Sequence, residues 1–323
     1  MQLGILLAIF GTAMLAVPNS TVVVLATFLV GFGSGPCVPA ASDLLQRHAP
    51  RQLRALIFSI KQAGVPLGGV LAGFLLPPLA LIDWRLVILA TVVVAFMAVT
   101  ATQPFRGELD RDRDPSQKLS PAIIFSPDNL MTPMRALRLS PLLTPLAYAS
   151  FCLALAQSAT FAFLVTFAVM RLGFDLLVAA MLFAVLQVAG IAGRVLLGAA
   201  ADWLGSAKML VKATVIASAI TTTLFAFASP EWPLWTLWAL IGITGVTVAS
   251  WNGLVMADIA DIVPPERMAE TATGVSIVLF AGSVIGPIGF ALVLDASGSY
   301  QPAFLMLSAW SLSAALFFMR KPR

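Results

Sequence analysis

Long apolar runs separated by short polar breaks dominate the chain. Ten such runs stand out, at 2–17, 20–42, 55–79, 86–103, 141–168, 176–200, 209–228, 233–257, 271–294 and 301–319. Each approaches the roughly 20 residues a helix needs to cross a hydrocarbon layer about 30 Å thick. The pattern predicts an all-α polytopic membrane protein of ten transmembrane helices. The breaks are brief, as at Pro18-Asn19, Asp83-Trp84-Arg85 and Ser229-Pro230-Glu231. One connection is different: residues 104–140 carry eleven charges and five prolines. That composition predicts a solvated linker with a short interfacial helix near Met131–Leu139. The expected organisation is a four-helix bundle over 1–103, the linker over 104–140, and a six-helix bundle over 141–323.

Composition supports the pattern. Hydrophobic residues make up 59% and charged residues 11% of the 323, against about 45–50% and about 25% in soluble domains. A water-surrounded globule of this size cannot bury so much apolar side chain. The net charge of +4 reads as a topology signal, with no nucleic-acid footprint. If residue 1 faces the cytoplasm, fifteen lysines and arginines fall on that side, and only Arg85 and Arg171 on the other, with Lys61 and Arg194 inside spans. The positive-inside rule then puts both termini and the central linker in the cytoplasm, in a multi-pass inner-membrane protein. Cys37 and Cys152 both lie in apolar runs, which excludes a disulfide framework. The single histidine, His48, excludes His-cluster metal sites, and no metal or cofactor is expected.

Two stretches repeat at a near-constant shift. Ala49-Pro50-Arg51-Gln52-Leu53 resembles Pro264-Pro265-Glu266-Arg267-Met268, and Trp84-Arg85 corresponds to Tyr300-Gln301. Glycine-rich spans lie between these anchors in both copies, as in transporters built from repeats. Three further segments carry a resemblance. Gly193-Arg194 through Gly198, Asp202, Gly205 and Lys208 is similar to the G-x-x-x-D-[RK]-x-G loop of the major facilitator superfamily. Gly31-Phe32-Gly33-Ser34-Gly35 resembles its glycine-rich fourth helix. Arg54 to Arg85, with Lys61-Gln62-Ala63-Gly64-Val65-Pro66, resembles its fifth helix running into the sixth. The resemblance implies two helix bundles joined by a cytoplasmic loop, and alternating-access transport of a small solute. Aligning the two copies predicts that family helices one and two are missing, leaving family helices three to six and a complete second bundle. A signal peptide at 1–17 is the alternative reading; it lacks a basic n-region.

Lys61 lies seven residues, or about 10 Å, past Arg54. A charge at that depth faces a bundle interior or water, so it is a candidate for drawing an anion into a central cavity; snorkelling to the cytoplasmic face is the alternative. Gln62 is its polar neighbour, and Gly64 and Pro66 loosen the backbone there. Gln157, Trp251 and Asn252 are further substrate-binding candidates, with Asn252 as a helix tie the alternative. Asp258 is a candidate proton carrier or a solvated edge carboxylate. The resemblance implies that Asp202 closes the cytoplasmic gate against the start of the span at 55–79, with Arg51 or Arg54 adding a charge-assisted bond and Gly198 and Gly205 permitting close approach and a tight turn. Arg194 joins that network or snorkels. The pairs Gly31/Gly35, Gly64/Gly68, Gly69/Gly73 and Gly282/Gly286 have small-xxx-small spacing and predict helix packing.

The expected function is a secondary transporter of a small organic or inorganic anion, with a lean to the cyanate and related carriers and protons as a possible coupling ion. Thr27 stands where many proton-coupled members carry an arginine, and the helix-five antiporter signature is matched in part. A drug or sugar carrier, a non-transporting remnant and a mis-started frame are the alternatives. Paired mid-span acids, His clusters and an activated nucleophile are absent from the sequence, which argues against an intramembrane enzyme. The nucleotide-binding pattern G-x-x-x-x-G-K-[ST] is absent as well.

Overall fold

The computed structural model describes residues 2–109 and 126–319. The middle of the expected linker, 110–125, and the last basic cluster, Arg320, Lys321 and Arg323, lie outside the described residues. Everything assigned as regular structure among the described residues is helical. Among the described residues, eight stretches are long and apolar enough to cross a membrane: Ser20–His48, Trp84–Ala101, Leu143–Met170, Leu176–Leu204, Ala207–Ala226, Leu234–Ile262, Pro265–Ser297 and Tyr300–Phe318. Gln2–Met14 is a shorter apolar helix.

The helices are α1 (Gln2–Met14), α2 (Ser20–Ser34), α3 (Cys37–His48), α4 (Arg54–Ile82), α5 (Trp84–Ala101), α6 (Arg106–Leu109), α7 (Pro127–Ala136), α8 (Leu143–Met170), α9 (Leu176–Leu204), α10 (Ala207–Ala226), α11 (Leu234–Val248), α12 (Asn252–Ile262), α13 (Pro265–Ser297) and α14 (Tyr300–Met319). They fall into two compact units, 1–47 with 69–131, and 48–68 with 132–323. The first 15 residues of α4 thus group with the later part of the sequence.

In the first unit α1 packs on α2. Gly4 and Gly33 face each other's carbonyls, and a Cβ at Gly11 would meet Ala26 O at 2.9 Å. Asn19 caps α2, its Oδ1 accepting from Thr21 N and Val22 N at 2.9 and 3.3 Å. Asp83 caps α5 by accepting from Arg85 N at 2.9 Å. These side chains satisfy amide groups that a helix start leaves open. The single run predicted over 20–42 is broken at Gly35-Pro36, because proline has no N–H to continue the ladder. The short linker helix begins at Pro127 and ends at Ala136, earlier than the predicted 131–139; proline's fixed φ suits a first helical position.

In the second unit α8 is the central helix, with its length largely buried. Glycines on α13 let the two backbones meet: Gly282 lies on the Phe151 carbonyl and Gly286 on that of Leu155. Of the predicted small-xxx-small pairs this one packs backbone to backbone. Gly31, Gly64 and Gly68 meet no neighbour within their own units. Helices α10 and α14 are joined by hydroxyls, Ser218 to Ser311 at 3.1 Å and Thr223 to Ser308 at 2.6 Å. Phe167, Phe225, Phe290, Tyr300 and Phe304 stack at one end of the bundle. Gly205 and Gly298 end α9 and α13 at φ 66° and 63°, a region that side chains with a Cβ rarely enter.

Candidate functional site

The apolar run predicted as one span over 233–257 is two helices, α11 and α12, with a break at residues 249–251. Ser250 accounts for the break. Its hydroxyl lies within hydrogen-bond reach of Gly245 O at 2.9 Å, on its own segment, and Gly190 O at 3.0 Å, on α9. A serine side chain that bonds a nearby carbonyl offers the backbone an alternative to the helical ladder. The Ala249 N–H accordingly turns to Thr247 O. Close approach of α9 makes this possible: a Cβ at Gly193 would sit 2.5 Å from Ser250 Oγ, and one at Gly190 would sit 3.0 Å from Ala249 Cβ.

Three predicted residues converge at the break. Trp251 is buried, and its indole Nε1 donates to Gln157 Oε1 at 3.1 Å. Asn252 Nδ2 donates to the same oxygen at 3.5 Å. Gln157 and Asn252 are only half-buried. Arg194 follows Gly193, one residue from the contact with Ser250. It is 5% exposed, and its Nε and Nη1 are buried with no hydrogen-bond partner among the described residues. A guanidinium carries five donors and stays charged, so an orphaned one in an apolar bundle is costly unless something anionic meets it.

The first turns of α4 pack against α9 and α12. Ser59 is fully buried, with a Cβ at Gly198 falling 2.7 Å from its Cβ and one at Gly253 falling 2.5 Å from its Cα. Asp202 reaches the start of α4: Oδ1 accepts from Ala55 N at 2.9 Å and Oδ2 from Leu56 N at 2.8 Å. The carboxylate thus takes up two open amides at the positive end of the helix. Arg54 does not meet Asp202. It donates to Asp261 Oδ1 at 3.2 Å and to Ala260 O at 3.3 Å, at the end of α12. Gly205 ends α9 just beyond the carboxylate. Lys208, at the start of α10, lies with Lys212 in electrostatic range of Asp258. Asp258 itself is 5% exposed, unlike the solvated edge position its place near a helix end suggests, because α12 is enclosed along most of its length.

Lys61 and Gln62 are half-buried on α4. Gln62 lies one turn past Ser59 on the same face, toward α9. Lys61 points about 200° round the helix from Ser59, off the face that α9 and α12 cover. The helix runs unbroken through Gly64 and Pro66; Pro66 has no N–H, which leaves the Gln62 carbonyl without its helical donor. Lys61 therefore stands apart from the group formed by Gln157, Trp251 and Asn252. Sequence reasoning missed Ser59, Ser250 and Gly253. A lone serine in an apolar run carries no signal of its own, although Ser250-Trp251-Asn252 as a polar interruption marked the place.

The family profile described as Major Facilitator Superfamily matches residues 1–287. The chain belongs to the major facilitator superfamily. As a superfamily member with several apolar helices, it is a multi-pass membrane protein. The Mycobacterium tuberculosis protein named as uncharacterized MFS-type transporter Rv2994 is 29% identical over 204 residues, 63% of this chain and 43% of that one. The chain thus spans under half the length of the curated relatives it matches. Among solved superfamily structures, the human organic anion transporter MFSD10 superposes with a TM-score of 0.75 at 18% identity, over 98% of this chain and 76% of that one. The Escherichia coli fucose:proton symporter FucP, in its outward conformation, gives 0.68 at 16% identity, over 98% and 80%. At these identities the two structures share the fold.

Proposed function

We propose that the protein is a secondary transporter that moves a small organic or inorganic anion by alternating access. The observation that carries the substrate class is Arg194, a buried cation with two nitrogens lacking acceptors, beside a broken helix. Transporter sites characteristically form where helices are interrupted near the middle of the membrane. Lys61 is the second cation, placed to attract the anion on its way in, with Gln62 beside it.

The gate is the set of contacts made by Asp202 and Arg54 on α4, α9 and α12. Each is a charge-assisted bond to an element end, of the kind that breaks and reforms as one set of helices tilts. Asp258, buried near Lys208 and Lys212, is the proton carrier in this reading. Its carboxyl exchanges a proton as the gate opens and the lysines move away. The distribution of basic residues supports ten spans with both termini and the 104–140 linker on the cytoplasmic side of the inner membrane.

The test is uptake of a panel of small anions into proteoliposomes holding the purified chain. Saturable uptake is expected for at least one anion, with Arg194→Gln and Lys61→Gln each lowering it by tenfold or more at unchanged thermal stability. Transport of neutral solutes alone, or anion uptake indifferent to both substitutions, overturns the reading. Asp258→Asn is expected to abolish accumulation driven by a pH gradient while leaving anion counterflow intact.

A further inference from the structure

The hydrogen bonds at the α11–α12 break fix more than the position of Gln157. An indole N–H donates and never accepts. The atom of Gln157 that meets Trp251 Nε1 at 3.1 Å is therefore its carbonyl oxygen. The same oxygen lies 3.5 Å from the Asn252 amide, and two carbonyl oxygens in that place would repel, so Asn252 turns its Nδ2 inward. Both amides are thereby oriented. Gln157 directs its NH2 away from the buried indole, and Asn252 directs its carbonyl away from Gln157. Among the described residues neither Gln157 Nε2 nor Asn252 Oδ1 has a hydrogen-bond partner, and neither is sealed from solvent. Trp251, by contrast, is 1% exposed; it orients its neighbours and has no face open to a ligand.

The result is a fixed pair with opposite polarity, a donor on α8 and an acceptor at the first residue of α12. The start of α12 adds the positive end of a helix dipole, and Arg194 lies on the neighbouring stretch of α9. A ligand matched to this arrangement presents an oxyanion oxygen to Gln157 and an O–H or N–H of its own to Asn252. We propose that Gln157 and Asn252, held in orientation by Trp251, make the protein selective for oxyanions that carry a hydrogen-bond donor, such as hydrogencarbonate or a short hydroxycarboxylate, over donorless anions such as nitrate and cyanate. This inference rests on the small-anion reading above and narrows it. Trp251 is a positioning residue, and Gln157 and Asn252 touch the ligand. An anion without a donor leaves the Asn252 carbonyl desolvated and unpaired, and that loss makes the discrimination.

Hydrogencarbonate and nitrate share a planar shape, three oxygens and a single charge; the central atom differs, and only hydrogencarbonate carries an O–H. Binding of each to the purified full chain, followed by tryptophan fluorescence at constant pH and ionic strength, measures the selectivity directly. Counterflow of the bound anion in proteoliposomes is measured in parallel. The expected result is hydrogencarbonate bound tighter than nitrate by on the order of tenfold or more. Asn252→Leu is expected to bring the ratio close to one by weakening hydrogencarbonate alone. Trp251→Phe keeps the aromatic ring, frees Gln157 to rotate and lowers the ratio, with thermal stability checked to exclude a packing effect. Equal binding of the two anions by the unaltered protein overturns the proposal, as does a ratio that survives both substitutions. Selective binding without counterflow supports the amide pair and sinks the transport reading; counterflow of both anions at equal affinity does the reverse.

Discussion

At the scale of single residues, Asp202 shows how one carboxylate holds two segments together. It accepts from two successive amides at the start of α4, at 2.9 and 2.8 Å. Hydrogen bonds to a charged acceptor contribute about 1.5–3 kcal/mol each. Asp202→Ala removes both and exposes the α4 amides, whereas Asp202→Asn keeps one acceptor and loses the charge. The expected order of opening between α4 and α9 is therefore Ala above Asn above the unaltered protein. Spin labels at Leu53→Cys and Leu204→Cys, exposed positions on the two sides of the contact, measure it in a background without Cys37 and Cys152. A wider distance population should appear in that order, and an unchanged distribution in Asp202→Ala refutes the clasp. Asp202 was legible in the sequence through the resemblance of its surrounding segment, Gly198 to Lys208, to the superfamily's loop motif. The acceptor side was less so, since the partners are backbone amides that any sequence provides. Arg54 went to Asp261 for a related reason. Asp202 is already engaged by two amides, and α12 ends within reach of the guanidinium.

At the scale of elements, glycines decide which helices meet. Gly198 on α9 and Gly253 on α12 both leave room for Ser59 on α4. Gly198→Ala places a methyl 2.7 Å from Ser59 Cβ and Oγ and 2.9 Å from Leu56 Cα, closer than real atoms allow. The α4 contact must loosen, and the same spin-label pair should report opening as large as in Asp202→Ala. Adding Ser59→Gly removes two of the three crowding atoms and should restore part of the closed population; no recovery would mean that the glycine acts otherwise than through Ser59. A second comparison separates packing from gating. Gly286→Ala drives a methyl onto the Leu155 carbonyl and Ser158 Oγ, whereas Gly242→Ala meets nothing within 4 Å. Overpacking costs about 1–3 kcal/mol. Thermal unfolding in detergent should therefore fall for Gly286→Ala and stay near the unaltered value for Gly242→Ala. Apolar run lengths located the helices well, to within a few residues at most ends. They missed the break at Gly35-Pro36, where a proline lacks the N–H the ladder needs, and the one at 249–251, because a hydropathy pattern is blind to one serine bonding a carbonyl on another helix.

At the scale of the whole molecule, two signals of different origin meet. Hydrophobic run length located the helices, and the lysine and arginine distribution carries the proposal for their direction. Gln157, Trp251 and Asn252 join α8 to the start of α12, across 95 residues of sequence. Each member was visible in the sequence as a polar interruption of an apolar run. Their meeting was not, since it depends on glycine contacts at Gly190 and Gly193 that bring α9 against the break. Lys61, the most conspicuous sequence feature, lies on another face of α4 for the plain reason that two residues turn a helix by about 200°. Orientation is the property the sequence states most strongly, with fifteen basic residues assigned to one side and two to the other. The bias acts through the energetic cost of moving lysine and arginine across the bilayer during insertion. Single cysteines at Ser120, in the charged linker, and at Ser229 and Ser299, in short connections at the opposite ends of helices, test it in a background without Cys37 and Cys152. An impermeant maleimide added to intact cells should label Ser229→Cys and Ser299→Cys and leave Ser120→Cys unreacted until the membrane is opened. Labelling of Ser120→Cys from outside reverses the orientation, and with it the assignment of the Asp202 clasp to the cytoplasmic gate.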